Sequence, residues 1–270
     1  MPDSRGHLDR PWTRAIGVAC LALALAQPVA AQQPLPEPPT HGEFFSRSAF
    51  HLEGTALSYD DIRFSWDTHW GGEFDLIDYV NGRGSVLVDY QAVLGDEFRP
   101  FDPNQGNYTL EASGSWRVGD TELVGVFHHV SRHLSDRPKR FAIAMNVLMG
   151  RVMHHVDIDG TSIGVRAEAG KLVQQSYVDY SWISEMEVVA RRPLTPRVGA
   201  YGRVLGQRYW MDKAVSTRAA QRGGRLEGGL RLGGKGGAIE LFLGYERVID
   251  ADPLDRQPRQ WAFGGFRLLN

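Results

Sequence analysis

Cysteine is almost absent from this sequence, since Cys20 is the only one in 270 residues. It lies within an N-terminal segment that we predict is removed on export, so the mature chain has none. Disulfide bonds, thiol catalysis and cysteine-ligated metal sites are therefore excluded. We expect no metal ion and no cofactor, and other interactions must stabilise the mature chain.

Long apolar runs are also missing. The most extended one, AIGVACLALALA at residues 15–26, has about twelve residues, fewer than the roughly 20 that a spanning helix needs. It follows three arginines and precedes the small residues of QPVAAQQ, the pattern of a cleaved export signal. We predict a signal peptide over residues 1–31. A lipoprotein anchor at Cys20 would need an aliphatic residue three positions earlier, where Gly17 stands.

Neither sign of charge is in excess, with 30 Lys and Arg against 32 Asp and Glu. No nucleic-acid partner is expected for so balanced a chain. Residues 32–43 contain QQPLPEPPT, whose prolines prevent a helix or a central strand. We predict that this segment is a flexible periplasmic leader, and that residues 44–270 form a single folded domain.

The sequence does show a regular alternation of apolar and polar residues, with a period of two. From residue 107 to 118, apolar or small residues alternate with polar ones: Tyr108, Leu110, Ala112, Gly114, Trp116 and Val118 against Asn107, Thr109, Glu111, Ser113, Ser115 and Arg117. Such alternation is typical of β-strands. It recurs along the chain and predicts about twelve strands, at 44–58, 62–79, 84–95, 107–118, 121–133, 139–155, 161–173, 177–191, 196–210, 223–233, 237–248 and 258–269.

Two closed architectures fit these strands: a soluble sandwich or lipocalin-like barrel, which turns the apolar residues inwards, and a membrane barrel, which turns apolar residues such as Tyr108, Leu110 and Trp116 towards lipid. Predicted lengths of about 11–15 residues exceed the usual 5–6 of soluble strands, and aromatic residues cluster near strand ends. We therefore predict an all-β, antiparallel transmembrane β-barrel in the bacterial outer membrane, with short turns and both termini on the periplasmic side. Its partners would be outer-membrane lipids and lipopolysaccharide, while protein partners stay unknown. Charges of both signs should line the lumen: Glu111, Arg117, Arg166, Glu168 and Glu187.

A polar cluster, FHHVSRHLSDRP, occupies residues 127–138 at the outer end of a predicted strand. If Val124 and Val126 face lipid, alternation turns His129, Ser131 and His133 towards the lumen. A hairpin centred near residue 136 then brings Asn146 within a diagonal step of His129. We predict that His129, Ser131 and Asn146 converge as candidate catalytic residues. A rim cluster on the lumen side would contain His133, Asp136 and Arg140.

His129-Val130-Ser131, followed by Asn146 on the next strand, resembles the catalytic arrangement of the outer-membrane phospholipase A family. The lipid A deacylases are similar, with a glutamate as third residue. The resemblance implies that His129 activates Ser131 and that Asn146 orients His129. The phospholipases continue after the serine with asparagine and glycine and present the triad to the lipid. This chain has Arg132 and His133 there, and its alternation predicts an inward cluster.

The same segment also resembles the H-x-S-S-H-L-G-D motif of an uncharacterised family of bacterial outer-membrane proteins. Five residues match (His129, Ser131, His133, Leu134 and Asp136), whereas Arg132 and Ser135 replace serine and glycine. That family implies a barrel and supplies no activity.

Two functions follow from these patterns. The leading hypothesis is a structural or small-pore barrel with a charged lumen, in which Arg132, Arg137, Lys139 and Arg140 contact lipopolysaccharide phosphates. The alternative is a lipid hydrolase that acts at the outer rim. The two hypotheses are distinguished by whether the side chains of Ser131, His129 and Asn146 contact one another, and by the face of the barrel on which they lie.

Overall fold

A computed structural model describes residues 39–59, 61–135 and 141–270. The predicted signal peptide, most of the leader, and Asp136 and Arg140 lie outside these residues. Twelve strands make up the fold: β1 (Glu43–Ser58), β2 (Trp66–Asp78), β3 (Arg83–Gly95), β4 (Asp102–Val118), β5 (Thr121–Leu134), β6 (Ile143–Ile158), β7 (Thr161–Ser176), β8 (Tyr180–Pro193), β9 (Val198–Met211), β10 (Gln221–Gly233), β11 (Ala238–Val248) and β12 (Arg259–Leu269).

The strands form one closed antiparallel barrel, which confirms the predicted fold class. Each strand pairs with its sequence neighbours, and β12 closes the barrel against β1 through pairs such as Glu53 with Arg267. The tight turns, the start of β1 and the end of β12 share one end, hereafter the short-turn end. Longer links, such as residues 212–220 and 249–258, share the opposite, long-link end. In the described part of the chain, no helix is long and apolar enough to cross a membrane.

The outer surface of the barrel is apolar. On β4, Tyr108, Leu110 and Trp116 point outwards, as predicted, with exposed fractions of 46%, 44% and 55%. Other strands also present large apolar side chains outwards, including Leu148, Leu226 and Leu243. So much exposed apolar surface is costly in water and is what a barrel needs to meet lipid.

The predicted faces of β5 are wrong, and β6 shows the same feature. Val126 is 3% exposed and lies inside the barrel, whereas its neighbour Phe127 is 43% exposed. On β6, Val147 is likewise buried and Leu148 is exposed. The reason is that part of the lumen is filled by apolar side chains, so apolar residues occur on both faces of these strands: Val124, Val126, Val147, Met149, Met153, Leu172 and Ile183 belong to this inner cluster.

Elsewhere the interior holds charged side chains of both signs. Glu111 contacts Arg151 at 2.9 Å, Arg117 contacts Asp78 at 2.6 Å, and Arg166 lies 3.5 Å from Glu187. Arg151 also bonds Glu168. Glu111, Arg166, Glu168 and Glu187 are buried and Arg117 is partly buried, and each lies beside a partner of opposite sign, which offsets the cost of removing it from water.

The link between β11 and β12 folds into the long-link end of the barrel. Asp250 and Asp252 in this link are buried. Arg132, at the end of β5, points inwards and donates to the carbonyl oxygens of Asp250 at 2.8 Å and Ala251 at 2.9 Å. Arg132 therefore anchors the link, and the prediction that it contacts lipopolysaccharide is wrong.

These contacts leave little room for a pore. A cavity of about 100 Å³ lies below the folded link, lined by His69, Glu111 and Glu185 among others. We predict that the refolded protein gives no stable single-channel conductance in planar bilayers, with an open porin as positive control. A reproducible conductance would contradict the filled interior and support the small-pore hypothesis.

Candidate active site

Three polar residues of β5 share the outer face of the barrel near the long-link end. Because directly paired residues of an antiparallel sheet lie on one face, the outward Leu110 and Tyr108 of β4 fix the direction of their partners His129 and Ser131. His133 follows two positions later on the same face. The structure therefore places His129, Ser131 and His133 on the outside, and the predicted lumen location is wrong.

Asn146 lies directly opposite His129 in the pairing of β5 with β6, which is closer than the predicted diagonal step. His129 Nδ1 and Asn146 Oδ1 are 2.6 Å apart. Asn146 Nδ2 donates to Gln174 Oε1 on β7 at 2.8 Å, so Asn146 Oδ1 serves as an acceptor and His129 Nδ1 carries the proton. His129 Nε2 is then the unprotonated nitrogen, as a general base requires.

Ser131 has a different partner from the predicted one. Its Oγ lies 3.0 Å from His133 Nε2, within hydrogen-bond distance, and among the described residues it makes no hydrogen bond to His129. The edge of Tyr108 packs against the His133 ring, with ring centres 5.4 Å apart. Ser131 thus lies between two imidazoles on one strand face, each about 6.6 Å along the strand from it, backbone to backbone.

This arrangement contains the parts of a nucleophilic site. A serine hydroxyl is a weak nucleophile until a neighbouring imidazole removes its proton, and a third polar group can fix the tautomer of that imidazole. His129 has the third group in Asn146, and His133 has the hydrogen bond to the serine. All of these side chains face outwards, where the acyl esters of a lipid would lie.

The alternation pattern did not indicate Gln174. The tight turn at residues 159–160 sets the pairing of β6 with β7, and an unbroken ladder would place Val173 opposite Asn146. A β-bulge shifts the register between Val147 and Asn146, so that Gln174 pairs with Asn146 instead. Bulges of this kind re-aim side chains next to functional sites. The two rim residues outside the described part, Asp136 and Arg140, stay predictions.

The barrel resembles solved outer-membrane proteins. Outer membrane phospholipase A from Escherichia coli matches with 12% identity and a TM-score of 0.50, over 83% of this chain and 92% of that one. The Salmonella typhi outer membrane phospholipase, a dimer with bound calcium, matches with 14% identity and a TM-score of 0.52, over 87% and 94%. No family model and no curated protein matches, so the resemblance to the H-x-S-S-H-L-G-D family gains no support. At such identities the likeness establishes the fold alone, which is that of the bacterial outer-membrane β-barrels.

Proposed function

We propose that this protein is an outer-membrane hydrolase of lipid acyl esters, with Ser131 as nucleophile, His129 as general base and Asn146 as the residue that orients His129. The observation that carries the proposal is the outward placement of all three, with the His129–Asn146 hydrogen bond of 2.6 Å already formed. A structural barrel does not need a tautomer-fixing pair beside a serine on its lipid face.

In the proposed reaction, Ser131 Oγ attacks the carbonyl carbon of a fatty-acyl ester while an imidazole takes the hydroxyl proton. The ester C–O bond then breaks, and the imidazolium returns the proton to the departing alcohol. Water, deprotonated by the same imidazole, then attacks the acyl carbon, the bond from that carbon to Ser131 Oγ breaks, and the imidazolium returns its proton to Oγ as the fatty acid leaves. Asn146 Oδ1 holds the proton on His129 Nδ1 throughout, so that Nε2 is available for both transfers.

The outward direction of the site supports a substrate within the membrane. The side chains next to the site on the outer face are apolar, including Leu110 and Phe127, and acyl chains can lie against them. The phospholipase A family, which the His129-Val130-Ser131 pattern resembles, also presents its triad to the lipid. The outer-membrane phospholipase A structures that share this fold are consistent with such a role at the level of architecture.

The decisive experiment assays the purified, refolded full chain for fatty-acid release. Mixed micelles containing phosphatidylethanolamine and, separately, lipid A distinguish a phospholipase from a deacylase. We expect release from at least one of them. If the folded wild type releases fatty acid from neither substrate, the hydrolase proposal fails and a passive barrel remains.

Replacing each histidine in turn distinguishes the roles of the two imidazoles in the proposed reaction. We expect His129→Asn to reduce turnover about 10³-fold or more, since the oriented base is lost. His133→Asn should cost about tenfold or less, because His133 holds the resting hydroxyl and has no described partner that fixes its tautomer. Initial rates on the same micelles measure both effects. The reverse order would make His133 the base and contradict the role given to His129.

Asn146→Ala should reduce turnover by less than His129→Asn, by about 10- to 100-fold, because the base remains but its ring is no longer oriented. Gln174→Ala provides a matched comparison, since it removes only the hydrogen bond that orients Asn146. We expect the smallest loss for this variant. An Asn146→Ala variant with wild-type rates would show that the His129–Asn146 hydrogen bond has no part in the reaction.

A further inference from the structure

Three arginines form a second outward-facing group on the barrel, away from the serine site. They are Arg208 on β9, Arg222 on β10 and Arg247 on β11, all near the long-link end, and are hereafter the arginine triad. Arg208 and Arg222 are directly paired across strands. Arg247 Nε donates to the backbone carbonyl oxygen of Arg222 at 3.2 Å, which holds the third guanidinium against the strand that carries Arg222.

The triad has an unusual charge balance for this protein. Interior arginines such as Arg225 and Arg267 contact glutamates, whereas no member of the triad forms an ion pair with any carboxylate of the described residues. Like charges directly opposite each other destabilise a sheet. Two guanidinium groups in such a pair are stabilised when an anion binds between them, and their planar donors match phosphate oxygens bidentately.

The position of the arginine triad relative to the membrane indicates which kind of anion it would bind. Trp182 and Trp210 pair directly one step nearer the long-link end, and Arg208 lies over the Trp210 ring at 5.1 Å. On the other side of the triad the outer face turns apolar, with Leu226 and Leu243 exposed. Aromatic residues next to an apolar band mark the membrane interface, where lipid headgroups carry their phosphates.

We infer that the arginine triad binds the phosphate groups of a membrane glycolipid with two phosphates. Three positive charges across two strand spacings, about 10 Å, suit two phosphomonoesters better than the single phosphodiester of a zwitterionic phospholipid. The inference rests on the membrane location proposed above and not on hydrolysis. A protein that folds and inserts but lacks esterase activity would still be expected to bind the glycolipid.

Native mass spectrometry of the full chain in detergent tests this site, with bisphosphorylated lipid A as the probe. Dephosphorylated lipid A and phosphatidylethanolamine serve as comparison lipids. We expect the wild type to retain bisphosphorylated lipid A, and Arg208→Gln and Arg222→Gln each to weaken this binding about tenfold or more. Arg192→Gln is the matched control, since Arg192 is exposed at the short-turn end and only donates to Thr161.

Three results would overturn the inference: equal retention of dephosphorylated lipid A, full displacement of lipid A by millimolar inorganic phosphate, or wild-type binding by both triad variants. The second would mean that the triad binds free phosphate and not a lipid headgroup. The heat-dependent shift in gel mobility establishes that each variant is folded. Arg222→Lys keeps the charge without the bidentate fork, and we expect it to recover only part of the binding.

Discussion

Ser131→Ala is expected to abolish lipid-ester hydrolysis, with turnover at least about 10³-fold below that of the wild type. The loss should be this large because no other described hydroxyl lies within hydrogen-bond reach of His129 or His133. Fatty-acid release from the mixed micelles that the wild type cleaves is the measurement. The barrel should still fold, since the Ser131 side chain is on the outer face and its removal creates no cavity.

Ser184→Ala is the matched control for this experiment. Ser184 also faces outwards near the long-link end, where it pairs with Arg208 and Ala169, and no histidine lies opposite it. We expect wild-type hydrolysis from this variant. Equal activity in Ser131→Ala and Ser184→Ala would remove Ser131 from the reaction, whatever activity the barrel has.

Most of the fold could be predicted from the sequence. Alternation of apolar and polar residues indicates a strand, and a tight turn makes the two strands that it joins antiparallel neighbours. The twelve strands and their antiparallel order were predictable from alternation and from turns such as Gly119-Asp120. The faces of β5 were not predictable from alternation alone, since Val126 and Phe127 are both apolar. The tight turn between β4 and β5 does determine which face of β5 points outwards, because it pairs His129 with Leu110, whose outward direction was predicted correctly.

The candidate site was predictable only in part. The hairpin predicted near residue 136 brings His129 and Asn146 within a diagonal step of each other, and the structure pairs them directly, so their proximity could be predicted from the sequence. The hydrogen bond from Ser131 to His133 depends on side-chain rotamers, on which spacing gives no information. Gln174 depends on a bulge in β7. The inserted residue shifts the alternation by one position, but Gln174, Gln175 and Ser176 are all polar, so the sequence does not reveal the shift.

Arg267→Met is expected to cause the largest loss of stability among single substitutions in the interior. Arg267 is 1% exposed, and its guanidinium contacts three glutamates on three strands: Glu53 at 2.7 Å, Glu227 at 3.0 Å and Glu240 at 2.7 Å. The contact with Glu53 crosses the seam where β12 closes against β1. Arg267 therefore joins the first strand of the barrel to the last three.

Methionine fits the space of the Arg267 side chain but leaves the buried carboxylates with fewer positively charged partners. Of their arginine contacts within 4 Å among the described residues, Glu53 and Glu227 would keep Arg225, and Glu240 would keep Arg231. Breaking a buried pair by removing one partner costs about 3–5 kcal/mol, mostly because the remaining charge stays out of water. We expect the free energy of unfolding to fall by about that amount, measured by urea titration of the protein in lipid vesicles with tryptophan fluorescence.

Arg231→Met is the matched control, because it removes an arginine from the same cluster whose side chain is 30% exposed and contacts Glu240 alone. Its cost should stay below about 1 kcal/mol. Adding Glu53→Gln to Arg267→Met should recover part of the loss, since one unpaired charge disappears with its partner. If Arg267→Met costs no more than Arg231→Met, water reaches the interior freely, and the packed lumen from which we predict a non-conducting barrel is wrong.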